Sequence, residues 1–196
     1  MKKQTLISLV IIALVFVSCK KDDPRDFLSG VEGTQYTVTF SFNWSSANFP
    51  TDYPSNAHFS PLVGWSHNTS STFFQTGTMA SEGIKSMAET GSASALVAEM
   101  DLMVENNEGL HSMLGSGLGS GTGDITVTMA VDAENTAITL ATMVAPSPDW
   151  YIAVVNVNLL EGGAFVNSKV VNAYVYDSGT DDGTTYTSAN EVSNPQ

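Results

Sequence analysis

Three carboxylates crowd one short stretch. In Asp177-Ser178-Gly179-Thr180-Asp181-Asp182-Gly183 they lie between and beside two glycines, directly after the strand-like Ala173-Tyr174-Val175-Tyr176. Carboxylate oxygens are hard ligands suited to Ca2+, and glycine lets a loop fold tightly enough for side chains and carbonyls to converge on one ion. Asp149, on a turn stiffened by Pro146 and Pro148, stands ready to complete the set. An EF-hand does not fit, because Gly179 occupies the third loop position, where an acidic or amide side chain belongs. Asp177-Ser178-Gly179 also matches the aspartic-protease signature, but that chemistry needs a second such aspartate to share a proton, and the chain has no second copy. On residue types alone, a solvated acidic turn serves as well as a calcium loop, since Asp and Gly are the usual turn residues.

Other chemistries find less support. His58, His67 and His111 are too scattered for a zinc motif. Gly64-Trp65-Ser66-His67-Asn68 lacks the second glycine of a nucleophile elbow, so His67 reads as a loop-bonding residue. The glycine-rich residues 114–123 fit neither nucleotide-loop pattern and read as a flexible linker.

The 196 residues carry seven Lys+Arg against twenty Asp+Glu, a formal charge of −13. Phosphate binding needs clustered cations, so nucleic acid is excluded as a partner and cations or neutral or basic ligands are favoured. Cys19 is the single cysteine, so no internal disulfide forms. Met1-Lys2-Lys3 and the apolar residues 6–17 form the basic and hydrophobic parts of a signal peptide, too short to span a membrane. Phe16-Val17-Ser18-Cys19 resembles a bacterial lipobox, and Cys19-Lys20-Lys21-Asp22-Asp23 resembles the start of Bacteroidetes lipoproteins. These likenesses imply a lipoprotein signal peptide over 1–18, lipidation at Cys19, a polar tether over 19–34 and one domain over 35–196. They also imply an outer-membrane lipoprotein displayed at the cell surface, with a periplasm-facing placement as the other orientation.

From Tyr36 the chain alternates strictly, with Tyr36, Val38, Phe40, Phe42 and Trp44 on one face and Thr37, Thr39, Ser41 and Asn43 on the other, which predicts a half-buried antiparallel strand. Residues 48–61 read as a proline-bearing loop. Residues 81–90 and 93–105 read as short helices, with Ile84, Met87 and Ala88 forming one stripe and Leu96, Met100 and Met103 another. Gly91 fits a helix stop. Residues 125–131, 137–144, 150–158 and 169–176 read as further strands, with hairpin chemistry at Ala133-Glu134-Asn135 and Glu161-Gly162-Gly163. Strands of this length and spacing predict a mainly β fold, an antiparallel β-sandwich with one or two short helices.

Several motifs in this order resemble the spondin domain: Ser66-His67-Asn68, Ala80-Ser81-Glu82-Gly83, Ala88-Glu89-Thr90-Gly91, Pro146-Ser147-Pro148-Asp149-Trp150 and the 176–183 loop. The resemblance runs from about Tyr36 to about Asn190. It implies a sandwich similar to C2 domains with Ca2+ bound at loops on one end, the ligands falling on Asp149, Asp177 and Asp181, while Asp182 adds charge without direct ligation. It further implies a non-enzymatic adhesion or ligand-binding module whose partner is an extracellular protein or glycan. The alternatives are a surface enzyme acting on glycans or peptides and a structural accessory of an envelope complex.

Overall fold

A computed structural model describes residues 33–194. Cys19 and the expected signal peptide over 1–18 lie outside them. In chain order the elements are β1 (Thr34–Asn43), β2 (His58–Phe59), β3 (Val63–His67), α1 (Glu82–Thr90), α2 (Ser94–Glu105), β4 (Gly109–Leu114), β5 (Thr122–Val131), β6 (Ala137–Ala145), β7 (Trp150–Asn158), β8 (Leu160–Glu161), β9 (Ala164–Phe165) and β10 (Tyr174–Asp177).

All strand pairings are antiparallel. β1 and β5 form a two-stranded ribbon whose register runs from Thr34↔Val131 to Asn43↔Thr122. The larger sheet runs β10-β7-β6-β3-β4, with β2 joined to β6. The ribbon covers one face of this sheet and the two helices cover the other, so a mainly β sandwich carries a helical layer on one side.

Central strand β6 shows how the layers are assigned. Every one of its nine residues is buried, because a strand covered on both faces has no solvent side. Ile138, Leu140 and Val144 point toward the ribbon and meet Phe40, Phe42 and Ile125. Ala141, Met143 and Ala145 point toward the helices and meet Ile84, Met87 and Met100. Its buried threonines are satisfied: the Thr142 hydroxyl donates to the Ser60 carbonyl at 2.7 Å, and Thr139 Oγ1 accepts the Asn156 N–H at 2.9 Å. β1 turns its predicted face inward, with Phe40 and Phe42 each 7% exposed and Tyr36 and Val38 half-buried, and Trp44 just past its end is 7% exposed as well.

Both helices form where their stripes predict. Ser81 caps α1 by accepting the Ile84 N–H at 3.2 Å. Glu99 of α2 adds a tertiary cap, accepting the Gly83 N–H at 2.7 Å and the Ser81 hydroxyl at 2.6 Å; a carboxylate there also complements the positive end of the helix. Gly91 ends α1 in the left-handed region at φ 71°, its N–H bonded to the Met87 carbonyl at 2.9 Å. The two-residue turn Gly162-Gly163, at φ 59° and 83°, joins β8 to β9, since a type I′ hairpin turn needs positive φ at both places.

The structure departs from the expectations in three ways. Residues 114–123 are no flexible linker: Gly115 N–H bonds Leu62 O at 2.7 Å, Leu62 N–H bonds Ser116 O at 3.1 Å, and Leu118 exchanges bonds with Phe59 at 2.9 and 3.1 Å. The glycines serve close approach, because a Cβ on Gly121 would lie 2.2 Å from the Trp44 carbonyl oxygen. The strand expected over 169–176 forms only as β10, leaving Val170 98% exposed. Finally, β2 interrupts the predicted 48–61 loop, and β3 and β4 were not foreseen as strands.

Candidate functional site

The acidic loops meet because of antiparallel pairing. β10 runs against β7 with Asp177 opposite Trp150, so the turn entering β7 lies beside the loop leaving β10. Asp149 sits on the first and 177–183 form the second.

Asp149 is the centre of this junction and is fully buried, at 0% exposure. Its Oδ2 accepts the Ser178 hydroxyl at 2.9 Å, the Thr180 N–H at 2.8 Å and the Asp181 N–H at 3.2 Å. Its backbone carbonyl accepts the Ser178 N–H at 3.2 Å. The second carboxylate oxygen, Oδ1, is equally buried and has no hydrogen-bond partner. A buried carboxylate oxygen without a donor is costly, and a cation is one group that removes the cost.

Asp181 is 5% exposed. Its Oδ1 accepts the Gly183 N–H at 2.8 Å and its Oδ2 the Glu191 N–H at 3.0 Å. Asp177 is exposed and turns its Oδ1 to the Gly179 N–H at 2.8 Å. Asp182 accepts the Ser193 hydroxyl, and its N–H bonds the Glu191 carbonyl at 2.7 Å. A C-terminal strap thus folds back onto the loop, closed by the Asp181↔Val192 bridge. Tyr151 records the crowding of negative charge: its hydroxyl pKa is pushed well above the usual tyrosine range by burial first, then by Tyr176, Asp177 and Asp149.

The structure therefore brings the Asp149 turn and the 177–183 loop together, and places Asp149 against the backbone of Asp181. It does not gather the three carboxylates into a tight cluster. Among the described residues, no group of three or more His, Cys, Asp or Glu side chains stands close enough to hold a metal ion by itself. A Ca2+ ion takes six to eight oxygens, many from backbone carbonyls and water. The unpartnered, buried Oδ1 of Asp149 fits such an ion, with backbone carbonyls and water joining the neighbouring carboxylates in its shell.

Residue-by-residue reading missed the loop's own contribution. Ser178 and Thr180 lie 8% and 3% exposed and deliver hydroxyl and N–H donors to Asp149. Their signal was the alternation of small hydroxyl residues with glycine, which lets successive N–H groups point inward at one anion.

His67 is locked away from chemistry. It is 0% exposed, stacked on Trp65 with ring centroids 4.1 Å apart, with Nδ1 2.8 Å from the Asn68 carbonyl and Nε2 2.9 Å from Thr139 Oγ1. A carbonyl only accepts, so Nδ1 donates, Nε2 accepts from the Thr139 hydroxyl, and the ring is the neutral Nδ1–H tautomer. Burial lowers its pKa against the smaller opposing effect of the Asn68 and Ser71 backbone. Neighbouring Ser66 is also 0% exposed and donates to the His111 carbonyl at 3.3 Å, so the pair has no route to a substrate.

Comparison with known proteins shows the family to which the chain belongs. The family model Spondin_N matches residues 34–196. Spondin-2 of Rattus norvegicus is 31% identical over 166 residues, and Spondin-2 of Homo sapiens 30%, each covering 83% of this chain and 50% of its own length. Spondin-1 of Homo sapiens is 32% identical over 170 residues, covering 83% of this chain and 21% of its own. The chain thus spans half or less of the curated relatives it matches. With the match running through β1, both acidic loops and the C-terminal strap, the chain belongs to the Spondin_N family.

Proposed function

We propose that this chain is a calcium-binding, lipid-anchored adhesion or ligand-binding module of the cell surface. The observation that carries the metal reading is the fully buried Asp149, one oxygen of which receives four donors from the 178–181 loop, the Thr180 hydroxyl the longest at 3.4 Å, while the other receives none. Asp149, Asp177 and Asp181 would hold the ion, and the ion would supply positive charge that ties the β6–β7 turn to the loop after β10. Asp149 orients the loop through its Oδ2. Asp181 ties the C-terminal strap to it, and Asp177, at the exposed rim, is the member that reaches a ligand.

Binding is favoured over catalysis by the fate of the histidine that lay nearest a nucleophile: His67 and Ser66 are buried and spent on structural hydrogen bonds. The partner is an extracellular protein or glycan, and the membrane is reached through a lipid on Cys19. Calorimetric titration with CaCl2 tests the ion, and a screen of matrix proteins and glycans with and without EDTA tests the partner. Heat of binding in the wild type that vanishes in Asp149→Asn supports the site. An absence of heat up to about 10 mM, ten times the upper range for extracellular calcium modules, would return the aspartates to the role of an acidic turn.

A further inference from the structure

We infer that the side of the sandwich flanked by β1 and β10 is an interface between two copies of this chain. The two layers do not match in width. The ribbon leans toward β3 and β4, against which β5 packs, and among the described residues β1 has no strand beyond it. The larger sheet continues past it to β7 and β10. Between the free edge of β1 and the 165–173 segment lies a cleft of about 700 Å3, floored by Leu140, Val154 and Val157.

Both layers therefore end, on the same side, in an unpaired strand edge. β1 is ten residues long and carries no charge, no proline and no bulge, the devices by which exposed edges are normally guarded. Beside it, Val170, Val171, Tyr174 and Val175 are 98%, 44%, 64% and 63% exposed. An apolar patch of this kind, next to an open cleft, marks a contact surface.

Charge decides the occupant. The chain carries −13, yet none of the cleft-lining residues is acidic, and the one charged member, Lys169, is paired with Glu161 at 2.8 Å. A cationic partner would be met by carboxylates. A second copy of an acidic chain meets least repulsion where carboxylates are missing. The size also suits a copy: eight residues of β1 (34–41) and eleven of 165–175 approach the roughly 20 residues per side of an ordinary interface. Two such sides related by a two-fold axis are self-complementary by construction.

The test is sedimentation equilibrium of the full chain in a non-ionic detergent, with Val170→Asp, Val175→Asp and, as a control on helix α2 in the opposite layer, Leu102→Asp. Val170, Val175 and Leu102 are exposed, so the variants keep the fold. The expected result is a dimer that Val170→Asp and Val175→Asp each weaken at least about tenfold, since an unpaired charge buried in a contact is strongly penalised, while Leu102→Asp leaves it intact. Dimerisation should strengthen as salt rises from about 0.01 to about 0.15 M, which shortens screening from about 30 to about 8 Å. A monomer at all concentrations, a dimer indifferent to the valine changes, or capture of an added extended peptide on β1 by a monomeric chain would each overturn the inference. Calcium plays no part in it, so failure of the metal reading leaves this test unchanged.

Discussion

Removing the Asp149 side chain separates what the carboxylate does by hydrogen bonding from what it does by holding an ion. In Asp149→Ala, two buried backbone N–H groups, those of Thr180 and Asp181, lose the acceptor they reach at 2.8 and 3.2 Å. The Ser178 hydroxyl keeps its 2.7 Å contact with Thr180 Oγ1. A buried donor deprived of its partner costs about 1–3 kcal/mol, so the variant should lose about 2–6 kcal/mol. In a domain of this size that lowers Tm by about 4–24 °C. Asp149→Asn keeps an oxygen for both N–H groups and gives up only the charge assistance, about 2–3 kcal/mol for the three bonds. Calcium acts on top of this. With Kd of about 10⁻⁴ to 10⁻³ M, about 1 mM calcium adds about 0.4–1.4 kcal/mol, a rise of about 1–6 °C in the wild type and none in either variant. Thermal melts of the three proteins in EDTA and across a calcium titration supply every number. If Asp149→Ala melts within about 1 kcal/mol of wild type in EDTA, the hydrogen-bond argument fails. If calcium raises Asp149→Asn as much as wild type, the ion sits elsewhere.

Three further outcomes are expected. Phe40→Ala, in the core and stacked 4.9 Å from Phe42, should cost about 3–5 kcal/mol by urea denaturation, whereas Thr39→Ala on the exposed face should stay within about 0.5 kcal/mol. The folded-state pKa of His67 is lowered, so the unfolded chain takes up the proton first; stability should be flat above pH 6.5 and fall as pH drops below it. His111, also lowered by burial against Asp101, acts in the same direction. Urea midpoints compared between pH 7.5 and pH 5 in wild type and His67→Gln check this, and a wild type that gains stability on acidification contradicts the sign. Cys19→Ala should release the protein from membranes; a variant that still fractionates with them after a high-salt wash would place the anchor elsewhere.

The chain alone settled what depends on local pattern. Strict alternation from Tyr36 to Trp44 requires a two-faced strand, and i, i+3, i+4 stripes at Ile84, Met87 and Leu96, Met100 require amphipathic helices, because side-chain direction follows directly from backbone period. The two acidic stretches were legible for the same reason: residue type and spacing are written in order along the chain. What only the tertiary structure decided depends on neighbours distant in sequence. β3 went unread because it is buried on both faces, leaving no alternation in Val63-Gly64-Trp65-Ser66-His67 to mark it. Residues 169–173 carry strand-forming valines and yet form no strand, because strand formation follows cross-strand pairing and packing rather than intrinsic preference. The 114–123 stretch looked flexible and is held, because its glycines admit a neighbouring backbone that the sequence does not announce. The same holds at the site. The sequence named three aspartates as equals, but burial divides them: Asp149 lies at 0% exposure with one oxygen saturated and one bare, Asp181 is tied to the strap, and Asp177 stands at the rim. That division arises from β10 running against β7, where Asp177 pairs with Trp150, 27 residues back (177 − 150), a pairing that no local pattern encodes.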